Sequence, residues 1–469
     1  MSFDPESRIP NPKSRLESRN VRKRELSPAQ LLSLHIAGLI VVGAVVLSLP
    51  ASSATGQALS PLNAFFTSTS AVCVTGLTVL DTPVDLSLFG QAVLLLLIQA
   101  GGLGYMTVSS VIMVAFGRRM SMHDRATLAD ALNVTSMEDL LRFAGTVAKL
   151  TFAVEGLGAA VLGVRFALDV GWAKGLWLGL FHSVSAFNNA GFALFSDNLM
   201  PYRGDVIVNL AVTLLIVAGG LGFFVLSGVL RLRPRTAVRV SLQTKLVLVS
   251  TGILIAAGTV SILGLEWTNP KTLGPLGVGE KVLAAYFQAV TTRTAGFNTI
   301  GIGDMTEPAL FLMLLLMFVG ASPGGTGGGV KTTTFGVIVA SMVATVRGHR
   351  DTVIFRRRVA PEIVSRAFAV SAIAFLGLVG VTGFLLLAEH RSLLPTMFET
   401  TSAFGTVGLS MGEPGSVLSL VGLFGPVGKL LVMFMMFMGR VGPLTLAVAL
   451  AGSAAPDGLR YPEGRVSIG

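Results

Sequence analysis

Four stretches of this chain read alike: FTSTSAVCVTGL at 66–77, FHSVSAFNNAGF at 181–192, FQAVTTRTAGF at 287–297 and FETTSAFGTVGL at 398–409. Each opens on a Phe, runs through a short amphipathic segment rich in Ser and Thr, and closes on a Gly followed by an apolar residue. The four glycines, Gly76, Gly191, Gly296 and Gly408, stand 115, 105 and 112 residues apart. Nearly the whole chain is therefore one unit used four times. Four such units around an axis bring four short loops to one point.

The units belong in a membrane. Of 469 residues 52% are hydrophobic and 13% charged, with a mean hydropathy of +0.73, whereas a soluble domain carries about 25% charged residues. Apolar spans fall at 31–49, 86–116, 141–166, 205–231, 243–265, 308–347, 363–388 and 421–451. Eight spans put both termini on one side. That side carries 24 Lys and Arg against 8 on the other, so both termini are expected in the cytoplasm. The net charge of +10 is then a consequence of topology, and no nucleic-acid partner is expected. Trp172, Trp177 and Trp267 map to outer span ends, as an aromatic belt requires. The N-terminus lacks the apolar core of a signal peptide. A single cysteine, Cys73, excludes a disulfide framework or a Cys-based metal site and reads as a small packed residue.

Between each odd span and the next lies a shorter apolar piece, at 60–72, 176–188, 280–292 and 393–404. Twelve or thirteen helical residues reach about 18–20 Å, short of a hydrocarbon core of about 30 Å. A segment that enters without crossing leaves backbone groups unpaired, which is tolerated only against protein or a water-filled cavity. The expected fold is an all-α membrane protein: eight transmembrane helices arranged as four span–pore-helix–loop–span repeats around a pseudo-fourfold pore. Its divisions are a basic cytoplasmic tail (1–30), repeat 1 (31–116), repeat 2 (141–231), repeat 3 (243–347), repeat 4 (363–451) and a cytoplasmic tail (452–469).

A dehydrated cation must exchange its water for oxygens at similar geometry, and rings of backbone carbonyls supply them. Turning successive carbonyls toward one axis needs unusual backbone angles, which glycine adopts freely. The candidate oxygens are the carbonyls of Val74, Thr75 and Gly76; Asn189, Ala190 and Gly191; Thr294, Ala295 and Gly296; and Thr406, Val407 and Gly408. The third copy is one residue shorter between Phe and Gly, which points to a shifted pore helix. Arg293 stands within this third loop, and Glu399 of the fourth pore helix is the expected partner for its charge. Gly43, inside the first span, serves as the expected neutral comparison for substitutions at the four loop glycines.

Residues 308–347 would run about 60 Å as one helix, twice the membrane core. Their middle, GASPGGTGGGVKTTT (320–334), cannot remain helical, since each Gly costs about 1 kcal/mol and Pro about 3. An intramembrane loop at 320–332 is expected below the four loops, as a gate in the path. Its residues are Gly320, Ala321, Ser322, Pro323, Gly324, Gly325, Thr326, Gly327, Gly328, Gly329 and Lys331. It is not a nucleotide-binding P-loop, because Val330 separates Gly329 from Lys331. Arg440 joins the gate: it sits too deep in 430–451 to snorkel, and such a charge faces an interior or a cavity. The glycines of QAGGLGYM (99–106) and VAGGLGFF (217–224) allow close helix approach. An intramembrane enzyme is disfavoured. The five histidines (His35, His123, His182, His349, His390) show no metal-ligand spacing, and Glu155 and Glu399 have no second carboxylate nearby in sequence.

The loop glycines, SPGGTGGGVKTTT (322–334) and GRVGPLT (439–445) together resemble the Trk/Ktr/HKT superfamily of cation transporters over about residues 31–451. GRVGPLT and TTRTAGF (291–297) look more like the membrane subunits of the Ktr branch, and the short segment before the first span leaves no room for the extra helix pair of Trk subunits. The resemblance implies K+ as the transported ion, held at the loop carbonyls, with Na+ as an activator in many Ktr systems. It implies a homodimer in a bacterial cell membrane, seated on a cytoplasmic KtrA-like ring of nucleotide-binding RCK subunits. Regulatory nucleotide would bind that ring and not this chain. In the superfamily a serine at the first loop glycine accompanies Na+ preference, so Gly76 implies K+. The alternative is an Na+-permeable or Na+-coupled transporter of the same superfamily.

Overall fold

The computed structural model describes residues 28–117, 137–230, 240–412 and 418–451. The tail at 452–469 and most of the tail at 1–30 lie outside them. Four repeats follow one another, each with a first helix, a short re-entrant pore helix, an irregular return loop and a second helix. The first helices are Pro28–Leu47, Met137–Val170, Leu242–Glu266 and Pro361–Glu389. The pore helices are Pro61–Val72, Trp172–Phe187, Val278–Thr291 and Leu393–Gly405. Eight spans result, and the only strands among the described residues form a two-stranded antiparallel hairpin, Val353–Ile354 with Arg357–Arg358.

Burial follows the solvent. Leu96, Val260 and Leu387 are 70%, 71% and 77% exposed on the outer surface, where lipid takes the place of a protein core. The pore helices lie inside: Phe66, Phe181, Phe287 and Phe398, the residues that open the four motifs, are all fully buried.

The second helix of repeat 1, Leu88–Gly117, is continuous, whereas those of repeats 2 and 4 are bent. Val206–Leu221 and Phe223–Leu230 meet at 109°, and Pro426–Val441 and Pro443–Ala451 at 99°. The corners are Gly222 and Gly442, with φ of 88° and 95°, a region open to glycine but costly for residues with a Cβ. Spans read as continuous at 205–231 and 421–451 are thus bent. Apolar composition continues across both corners, so hydropathy alone cannot register them. In the third repeat the break is wider: helix Glu307–Phe318 stops, an irregular segment follows, and helix Thr332–Val346 resumes.

In repeats 2, 3 and 4 a carboxylate ties the end of the first helix to the start of the second. Glu266 accepts from the backbone N–H of Thr306 at 2.8 Å, Glu389 from that of Gly425 at 3.0 Å, and Asp205 from Arg165 at 2.5 Å.

A candidate cation pathway

The four return loops share one backbone device. Val74, Asn189, Thr294 and Thr406 have φ of 56°, 59°, 77° and 50°, and Gly76, Gly191, Gly296 and Gly408 have φ of 93°, 70°, 81° and 88°. Two left-handed positions thus flank one ordinary residue, Thr75, Ala190, Ala295 or Val407. Alternation of this kind rotates successive carbonyls toward one side of the chain. A non-glycine residue with positive φ is uncommon, and here it recurs at the same step four times.

The loops close into a ring. A Cβ placed on Gly76 would lie 2.5 Å from the Ala190 carbonyl oxygen, and one on Gly191 would lie 2.7 Å from that of Ala295. Gly296 faces the Val407 carbonyl more closely, and Gly408 faces that of Thr75. Loop 1 therefore abuts loop 2, loop 2 loop 3, loop 3 loop 4, and loop 4 loop 1. All twelve residues of the four triplets come together here, and a hydrogen bond of 3.0 Å between Asn189 and the Thr294 hydroxyl joins two of the loops directly.

A strap behind each loop went unread in the sequence. Ser70, Ser185 and Thr291 donate their hydroxyls to the carbonyls of Leu77, Phe192 and Phe297 at 2.8, 2.8 and 2.6 Å. Ser70 and Ser402 also accept from the N–H of Gly76 and Gly408 at 3.1 and 3.0 Å. The signal was present: each hydroxyl lies four residues after the motif's Phe, one helical turn along the same face. That constant spacing also answers the short third copy. Ala295 N–H bonds Thr291 four residues back, whereas Thr75, Ala190 and Val407 bond five residues back to Ser70, Ser185 and Ser402. The missing residue is absorbed in the turn after the helix, and the third pore helix keeps its register.

On one side the ring floors an open vestibule of about 580 Å³, lined by all four glycines and by Asp81, Asp197 and Asp304. On the other side lies the segment between Phe318 and Thr332. A Cβ on Gly327 or Gly328 would strike the hydroxyl of Thr294 or Thr406, so the segment passes directly beneath the ring. It is held at defined points. Ser322 and Thr326 donate their N–H groups to Gly220 and Gly219 at 3.0 and 3.1 Å, and Gly329 donates to Gly439 at 3.2 Å. The Gly328 N–H reaches the Thr406 hydroxyl at 2.8 Å, and the Phe223 N–H at the Gly222 corner reaches Gly324 at 3.1 Å. The segment is an ordered strap beneath the ring, and two glycines of VAGGLGFF, Gly219 and Gly220, provide docking carbonyls for it.

Arg440, 2% exposed, donates to the Thr326 carbonyl in this segment and to the Gly101 carbonyl of repeat 1. One guanidinium thus links repeats 1, 3 and 4 under the ring. Lys331 folds back on the same segment, its Nζ donating to Gly327 at 2.7 Å. Cys73 is fully buried behind loop 1.

The expected Arg293–Glu399 pair does not form. Glu399 accepts from the Ser410 hydroxyl at 2.6 Å and the Val421 N–H at 3.0 Å within its own repeat. Arg293 faces instead a narrow crevice with Thr251, Ile255 and Gly220. Repeat alignment placed both residues near the ring but not the direction of either side chain. Gly43 is likewise no neutral position, since a Cβ there would lie 2.7 Å from Leu97.

Comparison with known proteins places the chain in a family. The family model described as TrkH, cation transport protein, matches residues 34–456. The chain is 42% identical over 447 residues to the Ktr system potassium uptake protein B of Bacillus subtilis, covering 94% of this chain and 97% of that one. It is 35% identical to the potassium/sodium uptake protein NtpJ of Enterococcus hirae, covering 96% and 99%. The crystal structure of the potassium transporter TrkH from Vibrio parahaemolyticus superposes with a TM-score of 0.67 at 17% identity, over 93% of this chain and 87% of that one. By its sequence and by its fourfold re-entrant fold, the chain belongs to the TrkH family of cation transport proteins.

Proposed function

We propose that this chain is a K+ uptake channel-transporter whose selectivity filter is the ring formed by the four loop triplets. The observation that carries this reading is the alternation of left-handed backbone at all four loops, locked edge to edge. It provides stacked carbonyls of the kind that replace a cation's hydration shell. Potassium enters from the relatives, whose names describe potassium uptake. Ions move inward down the membrane potential, worth about 2.3 kcal/mol per charge per 100 mV.

The strap at 320–331 with Arg440 is the gate. The steric argument is its passage under Thr294 and Thr406; the electrostatic one is a buried cation linking three repeats. Control of that gate is assigned to a cytoplasmic KtrA-like RCK ring, with this chain as a homodimer and both termini cytoplasmic. Regulatory nucleotide is assigned to the ring. A second reading, Na+ stimulation or Na+ permeation, is favoured by the potassium/sodium name of the Enterococcus relative. Growth rescue of a K+-uptake-deficient bacterium at low external K+, with and without a KtrA-like partner, tests the proposal. Rescue by K+ supports it; no rescue from well-expressed protein in either background refutes it.

A further inference from the structure

One position recurs in every pore helix directly after the motif's Phe: Thr67, His182, Gln288 and Glu399. All four side chains are buried, and two of them reach across to the outward limb of their own loop. The Nδ1 of His182 lies 2.7 Å from the Leu178 carbonyl. A carbonyl only accepts, so Nδ1 carries the proton and Nε2 of the neutral ring is an acceptor. That Nε2 accepts from the Leu194 N–H at 3.3 Å, three residues beyond Gly191. The imidazole is held in place by Phe195, stacked at 5.0 Å, by Phe166 at 5.5 Å, and by Phe297 of the neighbouring loop at 6.3 Å.

Glu399 does the same work in repeat 4. It receives the Ser410 hydroxyl, two residues beyond Gly408, at 2.6 Å, and Ser410 in turn accepts from the N–H of Leu420 at 2.9 Å. Gln288 makes no such bond, and both of its side-chain amide atoms lack a partner. Since the loops abut in the order 1, 2, 3, 4, loops 2 and 4 face one another across the ring. From this pore-helix position the ring is thus braced along one diagonal, whereas the outward limbs of loops 1 and 3 are held from other segments, the Thr78 N–H donating to the Ser419 hydroxyl at 2.9 Å and the Asn298 N–H to the Asn198 amide oxygen at 3.3 Å.

We propose that His182 and Glu399 are positioning residues that brace the outward limbs of loops 2 and 4, fixing the ring's width along that diagonal and with it the choice among alkali cations. The proposal rests on the reading of the ring as the cation path. A brace of this kind touches no ion. It acts by preventing the carbonyls of Asn189–Gly191 and Thr406–Gly408 from closing on a smaller cation.

The test compares K+ and Na+ uptake by full-length protein in liposomes, together with hydrogen–deuterium exchange at the Leu194 amide. His182→Leu removes the acceptor, and one neutral hydrogen bond corresponds to about a fivefold change in an equilibrium. The expected result is a K+/Na+ ratio lowered about fivefold and faster exchange at Leu194, with rescue of both by His182→Gln, whose amide oxygen still accepts. Gln288→Leu, at the unbraced equivalent position, should leave the ratio unchanged. Should His182→Leu fail to fold, Ser410→Ala removes the brace of loop 4 from the loop side and should lower the ratio likewise. An unchanged ratio in His182→Leu or Ser410→Ala, or an equal fall in Gln288→Leu, overturns the proposal. If the wild type shows no K+ preference, the filter reading fails. Exchange at Leu194 then decides separately whether the brace exists.

Discussion

Replacing Gly76 with serine presses a Cβ against the neighbouring loop of the ring. Gly76 has a φ of 93°, a conformation that costs a residue with a Cβ about 1–2 kcal/mol. The added carbon would lie 2.5 Å from the Ala190 carbonyl oxygen, about 0.9 Å inside the 3.4 Å where ordinary contact begins. The obstacle is backbone of the neighbouring loop, itself strapped by Ser185, so relief requires loop 2 to turn a carbonyl aside. Loss of one ligand's preference at about 1.4 kcal/mol is a tenfold change. The expected outcome for Gly76→Ser is a K+/Na+ uptake ratio about tenfold below wild type. The comparison is Gly38→Ser in the first helix of the same repeat, where a Cβ meets nothing within 4 Å; the tightly packed Gly43 is unsuitable. Initial uptake rates in proteoliposomes at matched protein content supply the measurement. A wild-type ratio in Gly76→Ser would refute the assignment of loop 1 to the ion path.

Arg440→Ala removes the donors to Thr326 and Gly101 and should raise K+ flux several-fold while leaving the K+/Na+ ratio intact; reduced flux in stably folded protein counts against a gating role. Shortening the strap between Gly324 and Gly328 should act in the same direction, and a changed ratio would move the strap into the filter itself. Gly442→Ala, whose Cβ has room but whose φ is 95°, should lower stability by about 1–2 kcal/mol, read as a fall in Tm. Ser70→Ala deletes two strap bonds and should cost about 1–3 kcal/mol, again read by Tm. A double-mutant cycle between Arg293 and Glu399 should be additive, because Glu399 is committed to Ser410 and Val421.

What the sequence revealed was whatever repeats. Spacing of Gly76, Gly191, Gly296 and Gly408 was enough to place four loops on one axis, and the glycine-rich run at 320–329 was enough to break the third repeat's second helix. What stayed hidden depended on directions of side chains or on single dihedral angles. The corner at Gly222 lies inside uninterrupted apolar sequence, where a glycine reads equally as a packing residue, and the one at Gly442, although followed by Pro443, lies inside a stretch read as one span. The Ser and Thr of the pore helices read as an amphipathic run until the structure gave the hydroxyls of Ser70, Ser185 and Thr291 a loop carbonyl to hold. Arg293 faces a crevice with Gly220, Thr251 and Ile255 while Glu399 is committed to Ser410 and Val421, a difference that repeat alignment cannot resolve. The deletion in the third motif was visible, yet its location after Thr291 was set by the hydrogen-bonded turn.

The central claim is that cations sit on the axis of the ring between the carbonyls of the four triplets. Anomalous diffraction from crystals of the protein grown in rubidium tests it most directly. The account predicts peaks on that axis level with Thr75, Ala190, Ala295 and Val407, weakened in Gly76→Ser crystals. Strong peaks elsewhere in the protein with none inside the ring would contradict it.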